Sequence, residues 1–130
     1  MKFNGQSGQL YASNDALIEA LLLDPYIRVF KDGTIETRRD IAGHVQDVWR
    51  KIFVHDRSGY KFIAYGPKKR RKKLAIHRII YAKFKGKLHP ELVINHIDGN
   101  PANNHPSNLE LVTQKENMKQ MLKTKSSKEA

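Results

Sequence analysis

The residues best suited to chemistry lie in one stretch of the chain, between Leu92 and Met121. Asn95 and His96 follow a short apolar run, and Asn117 lies downstream. Amide oxygens are hard ligands that suit Mg²⁺, an ion that keeps several waters and accepts substrate phosphate oxygens as further ligands. An imidazole beside such an ion is suited to take a proton from water, since its unperturbed pKa is about 6.5. These residue types therefore suggest metal-assisted hydrolysis.

A strand–loop–strand–helix unit is predicted to position these side chains. Two short apolar runs predict β-strands joined by a long loop of turn residues, at 92–94 and 109–112. Thr113 with Glu116 is a capping box, so a helix is predicted to begin there. Three side chains at helical spacing give this helix an apolar face: Met118, Met121 and Leu122. If the helix packs across the strands, Asn117 comes close to Asn95.

The polar residues of this stretch form a recognisable series. It reads Asn95-His96-Ile97-Asp98-Gly99-Asn100, Asn103-Asn104, Asn108-Leu109-Glu110, Val112-Thr113 and Glu116-Asn117. This series resembles the HNH endonuclease motif, in the phage and intron-encoded homing or nicking branch whose ββα-metal finger cuts DNA. Upstream, the chain is also similar to the His-Arg-Leu-Val segment that precedes the motif in that branch, at His77-Arg78-Ile79-Ile80.

The resemblance implies a role for each of four residues. His96 would be the general base that activates water, and Asn95 with Asn117 would hold one divalent cation, Mg²⁺ or Mn²⁺. Asn108, grouped with His96 as catalytic, would be the central Asn whose side chain ties the loop together. Many relatives have Asp at the position of Asn95. An Asn there supplies an oxygen without the charge, which predicts weaker metal affinity.

Each of these residues also has a simpler structural explanation. Asn and Asp are ordinary turn residues, so Asp98-Gly99-Asn100 alone would indicate a hairpin. His96 alone would indicate a structural or surface histidine, and Asn117 alone a helix-surface amide. The combination at this spacing favours the endonuclease finger. Two other functions remain open: a non-catalytic DNA-binding module that retains the HNH scaffold, and a basic RNA-binding or assembly protein.

The composition favours a polyanionic partner. The formal net charge is +11 and the isoelectric point is about 10.0. The chain has no cysteine, which excludes disulfides and a Cys₄ zinc site, so no structural zinc is expected. It has no apolar run long enough for a membrane span and no signal-peptide pattern. These features predict a soluble cytoplasmic protein, in the host cytoplasm if the gene is phage-encoded.

A run of six cations is the second feature with functional meaning. It comprises Lys68, Lys69, Arg70, Arg71, Lys72 and Lys73, and the chain has no acidic residue from Lys61 to Pro90. The run alone would indicate a mobile solvated loop or a nuclear-import signal. Beside a DNA-cutting finger it predicts a phosphate clamp, together with His77 and Arg78 in a helix over 76–85. Binding should then be steeply salt-dependent.

The remaining patterns predict an α+β fold, in which a small N-terminal helix and a β-hairpin or sheet precede the finger. The predicted parts are 1–65 and 66–130, in one compact domain. A helix is predicted from a cap at Ser13 or Asn14 to Leu23. A hairpin is predicted from the strands 26–30 and 34–38, and a further strand over 60–65. In segment 41–54, the spacing of Val45, Val48 and Trp49 is helical, whereas residues 51–54 fit a strand, and Trp49 is predicted to lie in the core.

The predicted function is a divalent-metal-dependent endonuclease acting on double-stranded DNA, without membrane contact. One finger per chain cuts one strand, so a monomer or weak homodimer that nicks DNA is expected. The products would carry a 5′-phosphate and a 3′-hydroxyl.

Overall fold

Short helices and three small antiparallel sheets alternate along the chain. The structure is a computed structural model that describes residues 7–67 and 69–119, with side chains from residue 14 onward. Its elements are α1 (Ser7–Leu23), β1 (Ile27–Val29), β2 (Ile35–Arg39), β3 (Val45–Lys51), β4 (His55–Arg57), β5 (Tyr60–Tyr65), β6 (Lys72–Ala75), α2 (Ile76–Phe84), β7 (Val93–His96), a 3₁₀ turn (Pro106–Asn108), β8 (Leu109–Val112) and the helical residues 114–119 (α3). The predicted α+β class is confirmed.

Each sheet follows the order of the chain. The strand orders are β1-β2-β3, β4-β5-β6 and β7-β8, and every neighbouring pair is antiparallel. The predicted hairpin forms because Gly33 adopts a φ of 94°, which favours glycine. The Asp32 carboxylate accepts a hydrogen bond from the backbone N–H of Thr34 at 2.9 Å and tightens the same turn.

The largest differences from the prediction are the start of α1 and segment 41–54. α1 begins at Ser7, so the predicted cap residues Ser13 and Asn14 lie inside the helix, where such residues cost only a few tenths of a kcal/mol. The helix ends at Leu23, before the Asp24-Pro25 step, as predicted. In segment 41–54 the helical spacing was misleading, because residues 45–51 pair with β2 as strand β3, and the strand predicted over 51–54 is also wrong beyond residue 51. Val48 is 68% exposed, so its helical spacing from Val45 marked no buried face.

One hydrophobic cluster joins α1, the first two sheets, α2 and the β7–β8 pair. Its members are Ile18, Leu21, Ile35, Ile63, Leu74, Ile76, Ile79, Ile80, Leu88, Ile94 and Leu109. They come from both predicted parts of the chain. The prediction that Trp49 belongs to the core is wrong. Trp49 is half-buried outside this cluster, and the Arg28 guanidinium lies 4.2 Å from its ring centre. None of the helices in the described residues is long and apolar enough to span a membrane.

A buried ion pair fixes α1 against α2. Two guanidinium nitrogens of Arg78 donate to the Asp15 carboxylate at 2.9–3.1 Å, and a third donates to the carbonyl of Leu92 at 3.4 Å. The side chain of Arg78 is only 6% exposed. Arg78 therefore joins three parts of the fold: the N-terminal helix, α2 and the segment entering β7.

We expect Arg78→Met to lower the free energy of unfolding by about 3 kcal/mol, because it leaves the partly buried Asp15 carboxylate without its charge partner. Lys83→Met is the matched control on the exposed side of the same helix, with an expected change within about 0.5 kcal/mol. Urea denaturation measures both values. Equal, small effects would show that the pair contributes little.

Candidate active site

The register of β7 and β8 determines which partners the two adjacent site residues meet. Asn95 lies opposite Glu110, and His96 lies opposite Leu109. Successive side chains of a regular strand point to opposite faces, but His96 is the last residue of β7 and a turn follows it directly, in which the N–H of Gly99 donates to the carbonyl of His96 at 2.8 Å. Asn95 and His96 are both buried, at 7% exposure, but they have separate hydrogen-bond partners.

The imidazole of His96 is held by Asn104. Its Nε2 lies 2.9 Å from Oδ1 of Asn104, which is itself buried in the loop between β7 and β8. Because an amide oxygen can only accept, Nε2 carries the hydrogen and Nδ1 keeps its lone pair. The hydrogen bond therefore orients the ring and selects the tautomer in which Nδ1 can act as a base.

Two further rings surround His96. The ring centre of His77, on α2, lies 5.0 Å from that of His96, and Tyr60, the first residue of β5, lies 5.8 Å from both histidines. The Nδ1 atom of His77 is buried and has no hydrogen-bond partner among the described residues. Burial lowers the pKa of His77 to about 3, and electrostatic repulsion from His96 and Arg78 adds to the effect. His77 is therefore neutral at physiological pH.

Asn108 closes the loop that follows His96. Its side-chain oxygen accepts from the backbone N–H of Asp98 at 2.9 Å, and its Nδ2 donates to the Asp98 carboxylate and to the carbonyl of Asn103, both at 2.9 Å. Its own carbonyl accepts from the N–H of Ile97 at 2.8 Å. These contacts hold the turn directly after His96 in one conformation, so Asn108 acts on the site through the backbone.

Asn117 lies in α3, the helix that follows β8. Thr113 caps this helix, since its hydroxyl accepts from the N–H of Glu116 at 3.1 Å, as the capping box predicts. The side chain of Asn117 is half-buried. Met118, predicted to lie on the apolar face of the helix, is 52% exposed. Met121 and Leu122 lie outside the described residues.

The predicted DNA-binding residues fall into two groups. Lys69, Arg70, Arg71, Lys72 and Lys73 are all exposed, and Lys68 lies outside the described residues. Arg71 donates to the carbonyl of Ile41 at 3.1 Å, which ties the basic segment to the β2–β3 turn. His77 and Arg78 instead point inward, to the ring cluster and to Asp15. Their charge and position in the sequence did not reveal this, and neither is included in the surface proposed below to bind DNA.

The donor set around Asn95 is compatible with a hard cation. In the part of the chain that the structure describes, no three His, Cys, Asp or Glu side chains group together as a metal site. A site built on amide oxygens needs no such group. Nδ2 of Asn95 donates to Oε1 of Glu110 at 3.3 Å, and within the same described residues nothing donates to its Oδ1. This orientation leaves the oxygen available as a ligand.

Sequence reasoning gave no role to three residues that touch the site. Asn104 and Glu110 belong to the quoted motif, but the spacing alone does not show that they contact His96 and Asn95. Tyr60 lies 36 residues from His96 and reaches it through sheet packing, so no local pattern could have identified it.

Comparison with known proteins agrees with this geometry. The family model described as HNH endonuclease matches residues 74–119. Over this segment the chain is similar to HNH endonucleases. The segment includes α2, both finger strands and α3. HNH nucleases generally use divalent metal ions. The predicted resemblance is thereby confirmed.

Two relatives extend the comparison beyond the HNH segment. The chain is 44% identical over 69 residues, 52% of its length, to YosQ of Bacillus subtilis (strain 168), a protein named as an SPbeta prophage-derived HNH homing endonuclease. It is also similar to the solved structure of the HNH homing endonuclease I-HmuI, with a TM-score of 0.62, 25% identity and 82% of this chain covered. The matches span 39% of YosQ and 56% of the I-HmuI chain.

The buried, neutral state of His77 predicts a pH effect on stability. Because its pKa in the folded protein is below the unfolded value of about 6.5, the unfolded chain takes up a proton first as the pH falls. This favours unfolding between pH 6.5 and about 3. When the pH is lowered from 7.5 to 4.5, the free energy of unfolding of His77→Phe should therefore fall by about 2 kcal/mol less than that of the wild type. Chemical denaturation at the two pH values measures this difference. Parallel losses in the two proteins would contradict the assignment.

Proposed function

We propose that this protein is a divalent-metal-dependent endonuclease that hydrolyses one phosphodiester bond of double-stranded DNA. The observation that carries the proposal is the placement of His96, oriented by Asn104 at the end of β7 within a segment that matches the HNH family. The homing endonuclease names of YosQ and I-HmuI support DNA as the substrate. The prophage origin in the name of YosQ supports a phage-type enzyme.

In the proposed mechanism, Nδ1 of His96 takes a proton from the attacking water while Nε2 remains bonded to Asn104. Oδ1 of Asn95 and the side chain of Asn117 would hold Mg²⁺ or Mn²⁺. Such a cation supplies positive charge that stabilises the transition state and the leaving 3′ oxygen. Asn108 keeps the turn after His96 in place, so the imidazole needs no rearrangement when DNA arrives. The products carry a 5′-phosphate and a 3′-hydroxyl.

The exposed basic segment is proposed to hold the DNA backbone. Residues 69–73 lie at the end of sheet β4-β5-β6 where Tyr65 pairs with Lys72, whereas Tyr60, at the other end of β5, touches His96. The five residue steps between them correspond to about 17 Å of strand, or about five base-pair steps of DNA. The segment would therefore grip phosphates about half a helical turn from the cut.

One finger provides one general base, so a single chain is proposed to cut one strand at a time. A monomer or weak homodimer would then act as a nicking enzyme. The alternative is a DNA-binding module that keeps the HNH scaffold without catalysis, and it predicts binding without cutting in either Mg²⁺ or Mn²⁺.

The proposal is tested with a supercoiled plasmid in the presence of Mg²⁺, Mn²⁺ or EDTA. We expect nicking by the wild type with either metal, and a loss of at least about a hundredfold in rate for His96→Ala, since general base catalysis contributes on that scale. His105→Ala removes an exposed histidine of the neighbouring loop and should leave the rate unchanged. Circular dichroism should show that both variants remain folded. Cutting by His96→Ala at the wild-type rate would refute the assignment.

The clamp is tested by the salt dependence of DNA binding. Lys69→Gln combined with Arg70→Gln should reduce the slope of log K against log salt by about 2, because each lost phosphate contact removes about 0.9 from it. Lys31→Gln combined with Lys51→Gln removes the same charge from exposed residues of the first sheet and is expected to leave the slope nearly unchanged. Fluorescence anisotropy with a DNA duplex measures the slopes. Equal slopes for the two double variants would contradict the proposal that residues 69–73 bind the DNA backbone.

A further inference from the structure

The two residues proposed to bind the cation carry no negative charge. Asn95 and Asn117 are neutral amides, whereas Mg²⁺ in proteins is usually bound through one or two carboxylates together with substrate phosphates. A nearby carboxylate would offset the positive charge in a partly buried position. Two acidic residues have side chains in contact with the finger loop or with Asn95: Asp98 and Glu110.

Asp98 is already committed to the loop. Its carboxylate accepts from the backbone N–H of Asn100 at 2.8 Å and from the side-chain amides of Asn103 and Asn108 at 2.9 Å. The hydrogen bond from Asn103 is the largest cause of the lowered pKa of Asp98, followed by the bond from Asn100. This carboxylate serves to hold the turn, and moving it toward a cation would break all three bonds.

Glu110, unlike Asp98, is in contact with the proposed ligand Asn95. It lies directly across the strand pair from Asn95, and its Oε1 accepts from Nδ2 of Asn95 at 3.3 Å. Its side chain is half-buried, and it takes part in none of the ion pairs found among the described residues. Its negative charge is therefore not neutralised by any lysine or arginine there, in a protein with a net charge of +11.

The contact with Asn95 also determines which atom of the amide is presented. An amide has one donor end and one acceptor end, and Glu110, as a carboxylate, can accept but not donate. It binds the NH₂ group, which leaves Oδ1 of Asn95 as the end of the amide that can serve as a ligand. A neutral residue at position 110 that could also donate would allow either orientation.

We propose that Glu110 is a positioning residue for the cation site, which orients the Asn95 amide and supplies the negative charge that the amide ligands lack. The inference rests on the proposed function, because it concerns the same cation. In this proposal the negative charge comes from Glu110, on the strand opposite Asn95, and the ligand Asn95 itself is neutral.

Mn²⁺ binding to the DNA-free protein, followed by electron paramagnetic resonance, tests this without any cleavage reaction. Glu110→Gln removes the charge and, because its amide can also donate, no longer enforces one orientation of Asn95, and we expect about tenfold weaker Mn²⁺ binding; Glu110→Ala removes the contact altogether, and we expect up to about a hundredfold. Glu91→Gln, which removes the same charge from an exposed residue just before β7, is the control and should bind as the wild type does. Wild-type affinity in Glu110→Gln and Glu110→Ala would overturn the proposal.

A charge exchange separates a charge effect from a loss of structure. Asn95→Asp alone places two carboxylates side by side, so the melting temperature should be lower than that of the wild type without metal. Mn²⁺ should restore it, because the ion binds between the two charges. The double variant Asn95→Asp with Glu110→Gln moves the charge across the strand pair, and it should bind Mn²⁺ at least as tightly as the wild type. Binding as weak as in Glu110→Gln alone would overturn the proposal. If the wild type itself binds no Mn²⁺ and cuts no DNA, the proposed function fails as well.

Discussion

The antiparallel register of β7 and β8 is the constraint on which the rest of the site depends. It places Asn95 opposite Glu110, and it places His96 opposite Leu109 at the end of β7, where its ring meets Asn104, Tyr60 and His77. Because strand side chains alternate, a slip by one residue would exchange the environments of Asn95 and His96. The side chain of Asn108 opposes such a slip, because Asn108 ends the loop between the strands and its hydrogen bonds hold Asp98, near the start of that loop, and Asn103, in its middle.

The parts of the finger encoded by local chemistry were predictable from the sequence. Turn residues, a capping box and short apolar runs specify β7, β8 and the start of α3, because each signal acts within a few residues. The contacts that complete the site are tertiary and carry no such signal. Tyr60 arrives from another sheet, and the Asn104 bond to His96 depends on the path of the whole loop.

Charge was the least reliable guide to the position of a residue. Arg78 was predicted to bind DNA as a cation of the helix that follows the basic run, yet its partner Asp15 lies 63 residues earlier in the chain. Several acidic residues are likewise used inside the fold. Burial alone would raise the pKa of Asp24, but hydrogen bonds from Arg39 and from the backbone of Tyr26 lower it overall. Acidic groups thus tie elements together, while the run at 69–73 remains exposed with its charge.

The ion pair between Arg78 and Asp15 limits how this HNH segment can be transplanted into another protein. The family segment begins at residue 74, after the helix that provides the carboxylate. A chimera carrying only the segment would bring a buried guanidinium into a host without its counterion, and would strip Ile18 and Leu21 from the shared apolar cluster. The smallest portable unit is therefore larger than the motif: grafting must include the amino-terminal helix or redesign the surface beneath it.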